Sequence, residues 1–310
     1  MKSQDLVKAL AAHLRVTPAE IRKIVRTAPY RYKHYQIEKR SGGKRDIYHP
    51  TPELKAIQRW VVAEVLASLP VGDAVSAYED GNSIKKHALR HFRSNYFLKI
   101  DFKDFFPSID NEWLHAFISM KYPEWDEDSV RLLVRVLCRS SGLDGSLALS
   151  IGAPSSPSVS NRILFDMDAE ISRICSHLDV VYSRYADDLY FSTQRPNVLP
   201  NAELKVRAVI NLLAPKLRIN EEKTHRASRK NRISVTGLII TPQRSVSLGR
   251  DAKRRIKTEV YLWSEGRLPL KKVPKLRGFL TYAADVEPEF LRSLERKFGE
   301  EKVSRLIRGA

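Results

Sequence analysis

Hydrophobic positions recur at helical spacing in the first third of the chain and again near its end. The stripe that follows Thr51 repeats every three or four residues and predicts a helix ending near Pro70. Residues 17–20, Thr-Pro-Ala-Glu, have the pattern of a capping box and predict an earlier helix start. Residues 34–50 are β-prone on both sides of Ser-Gly-Gly, which predicts a hairpin with a basic tip.

The middle of the chain contains runs of aromatic and β-branched residues that are typical of strands. These runs are residues 95–102, 180–185, 189–193 and 233–240. Only residues 186–188 separate the second run from the third, so these two should form a tight hairpin. Helical spacing predicts helices at about 112–120, 128–139, 157–175 and 202–214. This mixed order predicts an α+β fold with an antiparallel sheet, followed by a helical last 60 residues.

Charge is distributed unevenly along the 310 residues, whose formal net charge is +18. Residues 1–50 carry +8, residues 51–220 carry −1 and residues 221–310 carry +11. General solubility charge would not spare the middle of the chain. A protein that grips phosphates with its flanking lobes and needs carboxylates at its centre would have this distribution, so the charge indicates a nucleic-acid partner.

Cysteine usage and hydropathy point to a cytoplasmic protein without a membrane span. The two cysteines, Cys138 and Cys175, have no metal-type or redox spacing and should be core thiols in a reducing compartment. No apolar run approaches the roughly 18 residues that cross a bilayer. The first residues are typical of an amphipathic helix and not of a signal peptide.

Candidate chemistry concentrates at Tyr185-Ala186-Asp187-Asp188 and at Asp101. Adjacent carboxylates in a hairpin repel each other unless a cation neutralises them, and Mg²⁺ prefers oxygen ligands. Asp101 ends an apolar strand, where an ionised side chain is costly unless it is paired or metal-bound. We therefore expect the three aspartates to hold two Mg²⁺ ions for phosphoryl transfer, with Asp187 better placed than Asp188. Asp104 is an alternative ligand, although a capping or solvent-facing role suits it better.

Three separated motifs in order, LKIDFKDFFPSI, IGAPSSPSVSN and YSRYADDLYFS, resemble those of the reverse transcriptase family. The resemblance extends to LRINEEKT and VTGLII and covers roughly residues 30–240. It implies an RNA-directed DNA polymerase in which Asp101, Asp187 and Asp188 are the catalytic metal ligands. It also implies a right-hand fold: fingers over 1–95, a palm over 96–240 with a fingers insertion at about 111–150, and an RNA-binding helical thumb over 241–310.

The resemblance also assigns residues to the incoming dNTP. Phe106 matches the steric gate against a ribose 2′-hydroxyl, and Phe102 precedes it in the same motif; the alternative for Phe106 is core packing. Arg45, helped by Lys39, matches a triphosphate-binding position, and Lys223 resembles a lysine that protonates pyrophosphate. For Arg45, Lys39 and Lys223, the alternative is an ordinary solvated charge on the surface.

Two positions depart from family patterns. Gly152, with Ile151 before it, lies in the motif that contacts the nucleotide and template, but many relatives have glutamine where Ile151 stands. An apolar side chain there cannot hydrogen-bond the sugar. Bacterial retron enzymes carry Asn-Ala-x-x-His before the first catalytic aspartate, and here His87 replaces the asparagine of that element while Ala88 and His91 match.

The subfamily resemblance is to bacterial retron reverse transcriptases. It implies a structured non-coding RNA as template and primer, DNA started from an RNA 2′-hydroxyl, and a role in antiphage defence, often with a separate effector protein. Val235, Thr236 and Gly237 match the retron tripeptide, and basic residues beyond it are expected to bind RNA: Arg254, Lys257, Lys271 and Lys275. The alternatives are another bacterial reverse transcriptase, of group II intron-like or abortive-infection type, and a catalytically silent RNA-binding scaffold.

Overall fold

The computed structural model describes residues 2–38, 42–142 and 145–309. The chain begins with two helices, α1 (Ser3–Leu14) and α2 (Pro18–Thr27). The predicted capping box is confirmed: the Glu20 amide donates to the Thr17 hydroxyl, and the Thr17 amide donates to the Glu20 carboxylate at 2.8 Å. Both reciprocal bonds satisfy amides that the first turn of a helix leaves without partners.

The predicted hairpin is formed by β1 (Tyr32–Glu38) and β2 (Lys44–Pro50), which pair antiparallel. Lys39 and Arg40 lie outside the described residues. The helix predicted after Thr51 is α3 (Pro52–Trp60), which continues as a π-helical turn to Val65 and ends in a short 3-10 turn before Pro70. A further helix, α4 (Ile84–His91), precedes the sheet.

The central sheet is antiparallel, as predicted. Its strands are β3 (Tyr96–Lys103), β6 (Val181–Tyr185), β7 (Asp188–Thr193), β8 (Arg218–Ile219) and β9 (His225–Ser228). The strand order is β6-β7-β3-β8, and β9 pairs with β3 beside β8. Thus β3 lies in the middle of the sheet, next to the predicted β6–β7 hairpin.

Helices and two short strands occupy the sequence between β3 and β6, and one long helix follows β7. They are α5 (Phe105–Ser108), α6 (Asn111–Lys121), α7 (Glu127–Leu137), β4 (Arg139–Ser140), β5 (Leu147–Ala148), α8 (Ser156–Ile163), α9 (Phe165–His177) and α10 (Leu199–Leu213). The prediction of one helix over 157–175 was wrong, because the chain turns at the buried Leu164 and both halves bury apolar residues.

The single strand predicted over 233–240 was also wrong. Two short strands, β10 (Ile233–Val235) and β11 (Leu238–Ile240), form a hairpin there, and β12 (Val246–Ser247) pairs with β11. Thr236 and Gly237 make the turn with φ of 47° and 86°. Positive φ at both central residues reverses the chain in the way that suits the twist of paired strands.

The last part of the chain is helical, as predicted. Its helices are α11 (Arg250–Ser264), α12 (Val273–Val286), α13 (Pro288–Phe298) and α14 (Glu300–Arg308). The helices and the β10–β12 sheet share an apolar cluster that is separate from the larger cluster under the central sheet. Across the described ranges, no helix is both long enough and apolar enough to span a bilayer.

Candidate active site

A cleft of about 560 Å³ opens where the β1–β2 hairpin faces the end of the central sheet. Its walls come from the hairpin, the residues after β3, the loop before α8 and the turn between β6 and β7. The residues that line it include Lys44, Arg45, Tyr48, Tyr78, Phe102, Phe106, Ile151, Ala186, Asp187 and Lys223. The cleft therefore brings together most of the residues that were predicted to contact a nucleotide.

The three predicted aspartates lie on neighbouring strands at this end of the sheet. Asp101 in β3 is directly opposite Asp188 in β7, and Asp187 immediately precedes Asp188 in the hairpin turn. The amide of Phe102 donates to the Asp187 carbonyl at 3.2 Å, which fixes the turn against β3. Asp187 is the member of the adjacent pair that lines the cleft, in line with the alternation of side chains along a strand.

Two lysines balance part of this negative charge. Lys99 Nζ lies 2.8 Å from Asp188 Oδ2, and Lys223 Nζ lies 3.1 Å from Asp101 Oδ1. Asp101 is only 4% exposed, whereas the Lys223 side chain is 61% exposed. Three carboxylates thus face two ammonium groups, so the site has an excess of negative charge when all of them are ionised.

Burial and mutual repulsion change the acidity of the adjacent pair. Burial raises the pKa of Asp187, and the neighbouring Asp101 adds to the rise. Burial also raises the pKa of Asp188, to about 6, although Lys99 acts in the opposite direction. Carboxylates whose ionised form is disfavoured by burial would gain from a bound cation.

A divalent cation suits these residues on one further observation. The Oδ1 atom of Asp188 is buried and has no hydrogen-bond partner in the described part of the chain. A buried acceptor without a partner is costly, and a hard cation would satisfy it. Within the same described ranges, no group of three or more His, Cys, Asp or Glu side chains converges as a metal site. Lys99 and Lys223 lie against the carboxylates instead.

A buried ion pair holds one face of the β6–β7 hairpin. The Arg184 guanidinium and the Asp168 carboxylate are both fully buried and lie 2.6 Å apart, and Tyr182 donates to the same carboxylate. Arg184 also donates to the carbonyl of Ala186 at 3.2 Å. Ala186 has a φ of 56°, a left-handed conformation that disfavours a residue with a side chain. The pair therefore stabilises the strained turn that carries Asp187.

A neutral hydrogen-bond network holds the opposite face. Ser183 bonds the Nε2 atoms of both His87 and His91 at 2.7 Å, and His91 Nδ1 bonds Ser192. Burial lowers the pKa of His87 to about 4 and that of His91 to about 3, so both rings are neutral at physiological pH. His87, the departure from the retron element, is thus a packed member of this network.

The same network reaches from the aspartates to the β10–β11 turn. Tyr190 donates to Asp188 Oδ2 at 3.2 Å and accepts from the Thr236 amide at 3.2 Å, while His87 Nδ1 bonds the Thr236 hydroxyl at 2.9 Å. Thr236 is β-branched and left-handed, which is unfavourable without such support. Sequence reasoning missed Tyr190, Arg184 and Asp168, because their partners are distant in the chain.

The predicted nucleotide-contacting residues occupy different places around the cleft. Arg45 projects from β2, and Phe106 is half-buried against Phe105, with ring centroids 5.2 Å apart. Phe102 is almost fully buried in the core, although it also contributes to the lining of the cleft. The predicted helper Lys39 lies outside the described residues.

Gly152 serves the fold as well as the cleft. A Cβ atom at this position would lie 2.8 Å from the Tyr48 carbonyl oxygen, and the φ of 112° excludes most side chains. The Tyr48 amide donates to the Ile151 carbonyl at 2.8 Å. The glycine therefore lets the loop before α8 pair closely with the β1–β2 hairpin, while the Ile151 side chain lines the cleft.

The predicted RNA-contacting residues divide into two kinds. Val235 is buried, and Thr236 and Gly237 form the supported turn. The four basic residues predicted beyond the turn are all exposed: Arg254 and Lys257 on α11, Lys271 in the following turn and Lys275 on α12. A second cleft of about 560 Å³ lies at the start of α11, and its lining includes further basic residues: Arg229, Lys230, Arg232, Arg250 and Lys253.

Residues 37–240 match the family described as reverse transcriptase (RNA-dependent DNA polymerase), and the chain belongs to this family. The class of protein is therefore an RNA-directed DNA polymerase. Within it, the chain is similar to the retron Ec83 reverse transcriptase of Escherichia coli, with 38% identity over 88% of both chains. It is also similar to the retron Ec73 reverse transcriptase of Escherichia coli, with 32% identity over 89% of this chain and 90% of the relative. These relatives confirm the retron resemblance.

Solved structures show the same fold at low sequence identity. The telomerase of Candida tropicalis, solved with a TWJ fragment of telomeric RNA, matches with a TM-score of 0.52 and 14% identity. The match covers 89% of this chain and 58% of that one. At this identity the likeness concerns the fold alone, and it confirms the predicted α+β polymerase architecture.

Proposed function

We propose that this enzyme copies a structured non-coding RNA into single-stranded DNA, using Asp101, Asp187 and Asp188 as its catalytic and metal-binding residues. The observation that carries the proposal is the register of β3 and β7, which puts Asp101 opposite Asp188 beside the cleft. The family match supports the reaction, and the excess of carboxylates over lysines supports a cationic cofactor at this point.

We infer that the three carboxylates hold two Mg²⁺ ions. Bound metal would supply activation of the primer hydroxyl and neutralisation of the charge on the triphosphate. Lys99 keeps Asp188 in place, and the exposed ammonium of Lys223 can turn from Asp101 towards a departing pyrophosphate. A lysine in that position can donate a proton to the leaving group.

A primer-extension assay tests the catalytic assignment. Asp187→Asn should lower the rate of dNTP incorporation on an RNA template by on the order of a hundredfold to a thousandfold. The variant lacks one of the three carboxylate charges that are proposed to hold the Mg²⁺ ions. Asp104→Asn is the matched control, because Asp104 lies on the same cleft but is exposed to solvent. Equal rates for wild type and Asp187→Asn, or an equal loss for Asp104→Asn, would remove the assignment.

Sugar selection is proposed to depend on Phe106. The ring lines the cleft but is not fully buried, so it can lie under the sugar of an incoming nucleotide, where a 2′-hydroxyl would clash. We expect Phe106→Ala to raise rNTP incorporation relative to dNTP incorporation. An unchanged ratio of the two kcat/KM values would leave Phe106 as a packing residue.

The triphosphate is proposed to lie against Arg45, with Lys39 as a helper. Arg45 shares the cleft with Asp187, and a guanidinium can bind phosphate oxygens in a bidentate manner. Ile151 and Gly152 would line the same nucleotide, with Phe102 behind it.

The basic last part of the chain is proposed to bind the structured RNA, and priming is proposed from a 2′-hydroxyl of a guanosine in that RNA. The net charge of +11 over residues 221–310 and the exposure of Arg254, Lys257, Lys271 and Lys275 support phosphate contacts. Replacing Lys257 and Lys271 by glutamine should weaken binding and reduce the salt slope by about one per lost phosphate contact. Unchanged binding and slope would move the RNA surface elsewhere.

A role in antiphage defence, with a separate effector protein, is proposed from the similarity to retron enzymes. Cells that carry the gene with its RNA should resist infection, and Asp187→Asn should abolish that resistance if DNA synthesis is required. Equal plating of phages on cells with wild type and variant would contradict the link between polymerisation and defence.

A further inference from the structure

Tyr78 combines backbone strain with an exposed aromatic ring at the catalytic cleft. Its φ is 67°, in the left-handed region that bulky residues rarely occupy. Its side chain lines the cleft together with Arg45, Phe106, Ala186 and Asp187, yet the residue is 56% exposed. More than half of the residue is exposed to solvent, so packing alone does not explain why a tyrosine stands in this conformation.

The chain on both sides of Tyr78 is held firmly. Residues 74–76 run parallel to the end of β6, where the Ser76 amide donates to the Arg184 carbonyl at 2.8 Å and the Arg184 amide donates to the Ala74 carbonyl. This pairing carries the segment past the end of β6. Tyr78 therefore lies beside the Tyr185–Asp187 turn.

A buried side-chain amide fixes the strained residue itself. Asn161, which is fully buried, donates to the Ala77 carbonyl at 3.0 Å and to the Glu79 carboxylate at 2.7 Å, one on each side of Tyr78. The same Asn161 accepts a hydrogen bond from Arg184, the residue that supports the turn carrying Asp187. Backbone strain persists only where surrounding contacts impose it, and such positions concentrate at ligand-contacting sites.

The ring itself is available to a ligand. In the described ranges the Tyr78 hydroxyl makes no hydrogen bond and the ring stacks on no other aromatic ring. An exposed, oriented aromatic face beside a nucleotide-sized cleft is the feature that binds nucleobases by stacking, whatever the base sequence.

We propose that Tyr78 is a substrate-contacting residue. Its ring stacks on a nucleobase of the template–primer duplex beside the Tyr185–Asp187 turn. The inference rests on the proposed polymerase function and adds a contact to it. The stacked base is either the template base opposite the incoming nucleotide or the terminal base of the primer, since both share the same aromatic chemistry.

The test compares primer extension by wild type, Tyr78→Leu and Tyr78→Phe. Leucine keeps apolar bulk and backbone strain but has no aromatic face, so kcat/KM for dNTP should fall about tenfold, within the range for one base–aromatic stack. Phenylalanine should recover most of that loss. Tyr30→Leu is the matched control, because Tyr30 is 70% exposed and lies outside the cleft. Its kcat/KM should equal that of wild type.

Abasic duplexes identify the base. One carries no base at the templating position, and another carries no base at the primer terminus. The penalty of Tyr78→Leu should disappear on one of the two, because the ring then has nothing to stack on. A penalty of the same size on the intact and both abasic duplexes, or no penalty at all, would overturn the proposal. So would a thermal midpoint that falls by more than about 5 °C, since the ring would then be structural.

A binding readout separates this inference from the proposed function. With 2-aminopurine at the templating position or at the primer terminus, and no dNTP present, wild type should quench one of the two probes and Tyr78→Leu should not. This result would support the stacking even if primer extension by wild type and Asp187→Asn were equally slow. Equal fluorescence with wild type and Tyr78→Leu at both positions would overturn the stacking, whatever the polymerase activity.

Discussion

The two faces of the β6–β7 hairpin are held by different kinds of polar contact. On the face that packs against α9, Arg184 and Asp168 form an ion pair that is completely buried. On the face that packs against α4 and the β10–β11 turn, neutral histidines, serines and Tyr190 share hydrogen bonds. Both faces support the turn that carries Asp187 and Asp188, but they respond differently to a lost partner or a change of pH.

The difference follows from the cost of burying charge. Removing one member of a buried ion pair leaves the other charged and without a partner, whereas a lost neutral hydrogen bond leaves only a polar atom unsatisfied. The neutral face is instead sensitive to acid, because His87 and His91 must stay unprotonated to remain in place. On the neutral face, the Tyr190 hydroxyl donates a hydrogen bond to the Asp188 carboxylate. On the charged face, Arg184 reaches only the backbone of the turn.

The largest effect is expected on the charged face. Asp168→Ala would leave the Arg184 guanidinium buried without its partner and should lower the free energy of unfolding by about 3–5 kcal/mol. Urea unfolding measures this. Glu170→Ala on the same helix is the matched control, because its ion pair with Arg173 is exposed to solvent and the urea midpoint should stay as in wild type. Similar urea midpoints for the two variants would mean that the buried ion pair contributes no more to stability than the exposed one.

Acid should act on the neutral face. Both histidines have pKa values lowered chiefly by burial, and Arg90 opposes protonation further. As pH falls below about 6.5 the unfolded chain takes up these protons first. The stability that the two neutral histidines contribute is therefore present above that pH and is lost progressively as pH falls towards about 4 for His87 and about 3 for His91. The two histidines together should lower the free energy of unfolding by about 2 kcal/mol between pH 6.5 and 5.5, since each contributes about 1 kcal/mol while its unfolded form titrates over this interval.

His87→Asn sharpens this prediction, because it leaves one titrating histidine in the network. The loss of unfolding free energy between pH 6.5 and 5.5 should be smaller than in wild type by about 1 kcal/mol, the contribution of one histidine. An unchanged loss would show that His87 does not titrate on unfolding.

The smallest effect is expected from Tyr190→Phe. Loss of the hydroxyl leaves the Thr236 amide without its acceptor and should cost about 1 kcal/mol of stability. It also removes a donor from Asp188, so the Mg²⁺ concentration for half-maximal primer extension should rise a few-fold. Tyr182→Phe removes a hydroxyl from the other face, where it donates to Asp168, and should leave the Mg²⁺ dependence unchanged. Equal shifts of the half-maximal Mg²⁺ concentration in both variants would show that the hydrogen bond from Tyr190 to Asp188 does not affect metal binding.

Local sequence was enough to predict three strands of the central sheet, β3, β6 and β7, and to single out the aspartates at their ends. An ionised residue at the end of an apolar strand and two adjacent aspartates in a hairpin are both visible within a few residues. Arg184 and Asp168 were not predictable in this way, because they are 16 residues apart on different elements and meet only through tertiary packing. The same holds for Tyr78 and Asn161.

Turns account for the errors in the predicted elements. Val, Thr and Ile have strand preferences, and these favoured one strand over 233–240, although Gly237 was a signal for a turn. The break at Leu164 has no glycine or proline signal, and it results from how α8 and α9 pack on the core. The strained conformations of Thr236 and Tyr78 depend on hydrogen bonds from distant residues, which a local pattern does not contain.

Metal binding tests most directly whether the three aspartates form the catalytic centre. Electron paramagnetic resonance can count Mn²⁺ bound to the enzyme with a template–primer duplex and dNTP, for wild type and for Asp187→Asn. We predict two bound ions per wild-type enzyme and a clear loss of binding in the variant. Identical Mn²⁺ titrations for the two proteins would contradict the account.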